Sequence, residues 1–264
     1  MGRILHTAHQ LTTLLEKVKQ SLTEKTQLPA LTWRNRARGL ADSLLNFVFP
    51  PVCGACKKAG SLLCETCHAQ LQWVQAPLCN RCGRPVTKPT ERCSVCQERP
   101  LPLHQIRAAV LFAHPVSKLI HNLKYNGAFA LSRPLAQLMA DAWAQWHMPV
   151  DLVMPIPLHA ERERKRGYNQ STLLTRDFCN LVALPYVEDG LTRTRFTTPQ
   201  VGLTAVERLK NVQDAFAANV DVVGKHVLLI DDVCTTGATM AAAANILIAS
   251  GAQAVSGYCV ARAI

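Results

Sequence analysis

From residue 101 onward short apolar runs alternate with stretches of helical period, the pattern of a parallel sheet whose strands are joined by crossover helices. The runs "AAVLF" (108–112), "DLVMPI" (151–156), "HVLLID" (226–231) and "AVSGYCVA" (254–261) predict strands. Residues 131–146 and 239–250 predict helices, the second stopped by Gly251. Near the start, Leu11, Leu14, Leu15, Val18 and Leu22 recur at helical spacing, while Glu16, Lys17, Lys19 and Glu24 turn elsewhere. "PALTWRNRARG" then interrupts that helix and adds Arg34, Arg36 and Arg38. Such a helix either docks on the rest of the chain or lies on a membrane surface or partner. The pattern divides the chain into a basic helical extension (1–44), a cysteine-rich module (45–100) and an α/β domain (101–264).

With 264 residues and 48% hydrophobic content, the chain can bury a sizeable core. It shows no run of 18 apolar residues and no apolar leader with a small-residue cleavage site. The expectation is therefore a cytoplasmic protein without a membrane span, with a peripheral position at the inner membrane face as the narrower alternative. The formal charge of +11 is uneven. Residues 1–100 hold 14 Lys and Arg against 6 Asp and Glu, and residues 101–264 hold 15 against 12. A basic front end attracts nucleic acid or anionic membranes, or is simply a solvated face.

Eight of the eleven cysteines form four CxxC pairs: Cys53/Cys56, Cys64/Cys67, Cys79/Cys82 and Cys93/Cys96. Each two pairs supply four thiolates, the donor set of a closed tetrahedral zinc site. Disulfides would require an oxidising compartment, and a redox motif would be a single CxxC. Two structural Zn2+ ions are therefore expected, with metal binding supplying most of the module's folding free energy. Gly83, after Cys82, suits a positive φ that turns amides toward sulfur. Lys57, Lys58, Arg81, Arg84, Lys88, Arg92 and Arg99 interleave with the ligands, so the module either binds nucleic acid or protein or is only structural. Cys179, Cys234 and Cys259 read as buried small hydrophobes.

The most specific stretch is "LLIDDVCTTGAT" (228–239). A strand is expected to end at Asp231 and Asp232, a loop to cover Cys234 to Ala238, and a helix to start near Thr239. The loop and helix N-terminus offer amide N–H groups and a positive dipole end to a phosphate. Gly237 permits close approach, and Thr235, Thr236 and Thr239 add hydroxyl donors. The two carboxylates can accept from vicinal hydroxyls, so the string describes a ribose 5-phosphate site. The plainer alternative is a capped strand-to-helix turn.

The string resembles the phosphoribosyl pyrophosphate (PRPP) signature of type I phosphoribosyltransferases. With "LKYNG", "PIPL…RGYNQ" and "TPQ…L…R…N…AF", it makes the chain from about 45 to 262 resemble the ComF family of competence-associated proteins, GntX-type members included. The resemblance implies a type I phosphoribosyltransferase-like parallel sheet flanked by helices behind a double zinc ribbon. It further implies PRPP held with Mg2+ by Asp231, Asp232, Thr235, Thr236, Gly237, Ala238 and Thr239. Amides near Pro155 and Ile156 and the cations Arg162, Arg164, Lys165 and Arg166 would face pyrophosphate. The segment 193–216 looks like a loop that closes over the site, with Arg193 and Arg195, then Arg208 and Lys210, as its cations; Lys124 is a further cation. Single-stranded DNA, a competence helicase and other uptake proteins are the implied partners. Thr235 stands where purine-salvage enzymes carry an aspartate base, which argues against a purine acceptor. Two readings stay open: a Mg2+-dependent phosphoribosyl transferase, or a catalytically inactive DNA-handling adaptor that uses PRPP or a nucleotide only as ligand.

Overall fold

A computed structural model describes residues 50–194 and 216–264. The extension 1–44, with its expected helix, and the segment holding Arg195, Arg208 and Lys210 lie outside the described residues. In chain order the elements are α1 (Glu65–Ala69), α2 (Ser94–Glu98), β1 (Ile106–Leu111), α3 (Val116–Tyr125), α4 (Ser132–Trp143), β2 (Leu152–Pro155), α5 (Ala160–Arg166), α6 (Gln170–Val182), β3 (Leu191–Arg193), β4 (Phe216–Ala218), β5 (His226–Cys234), α7 (Ala238–Ala249) and β6 (Ala254–Arg262).

Four strands form one parallel sheet in the order β1-β6-β5-β2. Its central strands are almost continuously apolar because both faces are covered. On one face Val227 and Leu229 pack with Ala243, Ala244 and Leu247 of α7. On the other, Leu228 and Ile230 pack with Leu135 and Met139 of α4 and Leu174 and Phe178 of α6. Trp143, Phe178 and Tyr258 meet there at ring distances of 5.1 to 5.5 Å, in the tilted and edge-on arrangements aromatic rings prefer.

All four sheet strands and both helices expected within 101–264 are present. β1 starts at Ile106 instead of 108, and α4 is followed by a 3-10 turn over Ala144–Trp146. One expectation is corrected: β5 does not end at the acid pair but runs on to Cys234. The ladder to β6 continues through Asp231↔Cys259 and Val233↔Ala261, and backbone pairing is indifferent to the carboxylates once their own partners are in place. Downstream, Gly251 ends α7 with φ 95, its N–H donating to Ile248 O.

The cysteine module is a tandem repeat. In each half the residue after the first CxxC has positive φ (Lys57 69, Gly83 65), and its N–H returns to the first cysteine's carbonyl at 2.9 Å. A short helix then starts behind Cys64 and Cys93. Lysine has no conformational advantage in the left-handed region, where a side chain costs about 1 kcal/mol. Lys57→Gly is expected to raise the melting temperature by about 2–4 °C in differential scanning calorimetry. An unchanged or lowered value would show that the lysine side chain compensates.

The repeat is joined to the sheet edge. Val74 N–H donates to Ala109 O at 3.0 Å, Leu111 N–H to Gln72 O at 2.7 Å, and Ile106 N–H to Arg81 O at 2.8 Å. A Cβ on Gly83 would sit 2.3 Å from Ile106 O, so only glycine fits where the second ribbon meets β1.

Candidate functional site

The carboxyl end of a parallel sheet is where strands hand over to loops, and here β5 passes through residues 235–237 into α7. Gly237 makes the turn with φ 81, and a Cβ there would crowd Ile106 at 3.1 Å. The first-turn amides of α7 lack intrahelical acceptors. Thr236 Oγ1 accepts from Ala238 N–H at 3.3 Å. Asp231 and residues 233–240 line a recess of about 40 Å³, with Thr235 and Thr236 exposed at its mouth. The sequence-predicted Asp231, Thr235, Thr236, Gly237, Ala238 and Thr239 thus share one concavity.

The two acids have different surroundings. Asp231 is half-buried; its Oδ1 accepts from Ser171 Oγ at 2.9 Å and from Asp232 N–H at 2.8 Å. Burial and then the charge of Asp232 push its carboxyl up to about 8, against the opposing pull of Lys124, the Asp232 amide and Ser171. Asp232 is 2% exposed and does not line the recess. Lys124 Nζ lies 2.7 Å from its Oδ2, a charge contact outside hydrogen-bond angles, and its Oδ1 accepts from Val233 N–H at 2.8 Å. The pair therefore carries one firmly paired charge and one carboxyl poised between protonation states.

The loop is fixed from behind. Arg262 is 2% exposed, and its guanidinium donates to Cys234 O at 2.7 Å, Thr235 O at 2.5 Å and Cys234 Sγ at 2.9 Å. A cation thus sits directly behind the 235–237 turn. Cys234, Cys259 and Cys179 are buried, as expected.

Arg193, at the end of β3, is half-buried beside Phe216, 5.5 Å from the ring centroid. Burial and the neighbouring charge of Arg162 lower its pKa while Asp231 raises it, so these three groups share one field. β3 and β4 pair antiparallel through Arg193↔Phe216.

Other sequence-predicted residues lie apart from the recess. Pro155 has no N–H, and that of Ile156 donates to Ile230 O at 2.9 Å. Ile156 O accepts from Asn169 Nδ2 at 3.0 Å. The expectation that Pro155 and Ile156 offer amides to an anion is therefore corrected: their backbone groups hold β2 and α6 against β5. Arg166 lies over the Tyr125 ring at 5.4 Å and donates to Gln170 Oε1. Ser171 and Arg262 were missed from sequence. A lone arginine closing the apolar run "YCVAR" was the one available signal for the second.

Two cysteine quartets complete the chemistry. Cys53, Cys56, Cys64 and Cys67 form one, and Cys79, Cys82, Cys93 and Cys96 the other, with all sulfurs of each within 4.8 Å of one another. The Cys56–Cys64, Cys82–Cys93 and Cys79–Cys96 sulfur separations are 3.6, 3.7 and 3.9 Å. Four sulfurs at 2.3 Å from a tetrahedral ion lie about 3.8 Å apart, so the quartets fit Zn2+. Burial pushes the Cys53 thiol up, but amides of Cys56, Cys64 and Ala55 outweigh it and bring it down to about 6. Amides aimed at the sulfur thus favour the thiolate that the metal requires.

Residues 44–98 match the double zinc ribbon domain model, and residues 189–263 match the phosphoribosyl transferase domain model. The DNA utilization protein YhgH of Escherichia coli (strain K12) is 31% identical over 225 residues, which cover 81% of this chain and 98% of that protein. Competence protein F of Haemophilus influenzae is 29% identical, covering 76% and 90%. Competence protein ComFC of Bacillus subtilis (strain 168) is 27% identical, covering 78% and 86%.

Proposed function

The chain belongs to the ComF family of competence and DNA utilization proteins, and from that premise we propose that it binds PRPP while handling single-stranded DNA. The observation that carries this reading is the shared concavity of Asp231 with the threonine-rich turn entering α7. The turn and the helix dipole take the 5-phosphate, with Arg262 adding positive potential from behind. Asp231 takes the ribose hydroxyls, oriented by Ser171, while Asp232 and Lys124 tie β5 to α3. Arg193 and Arg162, which share a field with Asp231, would supply positive charge on the pyrophosphate side. Mg2+ accompanying PRPP fits a recess edged by a carboxyl, and would supply charge neutralisation for pyrophosphate there. Among the described residues no helix is long and apolar enough to cross a membrane.

If transfer occurs, pyrophosphate leaves the anomeric carbon and an acceptor takes its place, with arginines stabilising the departing charge. Thr235, with no carboxylate at its position, would leave deprotonation to the acceptor itself. Incubating labelled PRPP with nucleobases, ammonia and DNA ends and measuring pyrophosphate release separates enzyme from adaptor. Release above the background of a chain carrying Asp231→Asn establishes transfer. Its absence beside PRPP binding establishes the adaptor.

The raised Asp231 carboxyl also gives a stability prediction. The folded state keeps this proton at pH values where the unfolded chain has lost it, so stability falls as pH rises from about 4 through about 8. Asp231→Asn keeps the acceptor oxygen for Ser171 and removes this ionisation cost. Its melting temperature is expected to exceed wild type by several degrees at pH 8.5 and to match it near pH 4. Parallel melting curves at both pH values would contradict the raised carboxyl.

A further inference from the structure

Tyr125 and Phe129 are 66% and 63% exposed, and they are not isolated rings. They flank the turn at Gly127, whose φ is 63. His121 packs on Tyr125 at 5.0 Å, Arg166 lies over the same ring at 5.4 Å, and Phe129 meets Tyr168 edge-on at 6.5 Å. The Tyr168 hydroxyl is tied to Leu123 O. Sequence separation hides this cluster, because Arg166 and Tyr168 arrive from beyond β2. An aromatic shelf is thus assembled in space from separate parts of the chain.

Two observations give the shelf a direction. It is wired to the acid pair: Arg166 donates to Gln170, Gln170 Nε2 to Ser171 Oγ at 3.4 Å, and Ser171 Oγ to Asp231 at 2.9 Å. Lys124, the residue before Tyr125, closes the ring at Asp232. On its other side the 126–131 turn borders a groove of about 230 Å³ beneath the first zinc ribbon, lined by Lys57, Asn122 and Asn126 among apolar groups. Exposed Lys118, Arg164 and Lys165 lie on the helices that carry the shelf, and Lys57 stands in the groove.

We propose that this shelf holds single-stranded DNA, with bases stacked on Tyr125 and Phe129 and the strand running between the phosphate recess and the groove under the first ribbon. The choice of DNA rests on the proposed function; the choice of a single strand rests on the rings, which offer faces that paired bases cannot use. Cations beside the rings suit a polyanion better than an apolar protein partner. The shelf also separates two tasks, since DNA sugars lack the vicinal diol that the acid at the recess would grip.

The test is fluorescence anisotropy of a labelled oligothymidylate of about 12 nucleotides and of a duplex of equal length, using the full zinc-loaded chain. Tyr125→Ala and Phe129→Ala are each expected to weaken single-strand binding about tenfold, and Tyr125→Trp to retain it. Neither alanine removes a charge, so the slope of affinity against salt should stay unchanged. PRPP titrations of the same variants should match wild type, so failure of the recess and failure of the shelf are read separately. Undiminished single-strand binding by the double alanine variant overturns the proposal. So does wild-type binding of duplex as tightly as single strand.

Discussion

Cys79→Ser is expected to halve the zinc content, from two ions per chain to one, and to lower the melting temperature by more than about 10 °C. Among the described residues each ribbon's own buried cluster is built on its cysteines, with only Ala55 and Leu63, or Val86 and Leu101, packed against them. Apolar burial on that scale cannot order a segment of this length, whereas structural Zn2+ supplies on the order of 10 kcal/mol. Cys79 is fully buried, and its sulfur also accepts from Cys93 N–H at 3.3 Å, so the hydroxyl cannot replace it. The damage spreads because Arg81 donates to Leu103 O at 2.6 Å and His104 O at 3.0 Å and pairs with Ile106, anchoring the start of β1. Elemental analysis beside calorimetry checks this. Two retained ions, or an unshifted melting point, would show that the ribbon folds without its metal.

Asp231→Asn combined with Asp232→Asn is expected to abolish PRPP binding, a loss of at least about a hundredfold. A hydrogen bond to a charged group contributes about 1.5–3 kcal/mol, and the site loses both its diol acceptor and the charge that ties β5 to Lys124. Asp232→Asn also leaves Lys124 without its acid, so the single Asp231→Asn variant is the cleaner control. Calorimetric titration with PRPP and Mg2+, alongside circular dichroism to confirm folding, reads the result. Titration curves equal to wild type would remove the acids from the site.

The fold was legible in the sequence where covering on both sheet faces leaves a continuous apolar run, as in β5 and β6. It was less so for α3 and α6, whose buried Asn122, Gln170, Ser171 and Thr175 interrupt the apolar stripe. Those polar residues have separate tasks: Ser171 holds Asp231 at the recess, and Asn122 donates to Gly54 O at 2.6 Å beneath the first ribbon. The zinc quartets were legible because ligand spacing is local. So was the 231–239 turn, since a strand, a glycine bend and a helix start follow one another in the chain. Arg262 and the aromatic shelf were not, because their partners are brought together only by the crossover connections. Pro155 and Ile156 misled for a related reason: a loop sequence does not show that a neighbouring strand has taken its amide.

The central claim is that one concavity grips a ribose by its hydroxyls and its 5-phosphate at once. Calorimetric titration of the unmodified chain with ribose 5-phosphate and with 2-deoxyribose 5-phosphate, at a pH above the raised value of about 8 so that Asp231 is ionised, tests it most directly. Both should bind through the turn, with the deoxy sugar weaker by about tenfold for its missing contact to a carboxylate. Equal affinity for the two, or binding of neither, would contradict the account.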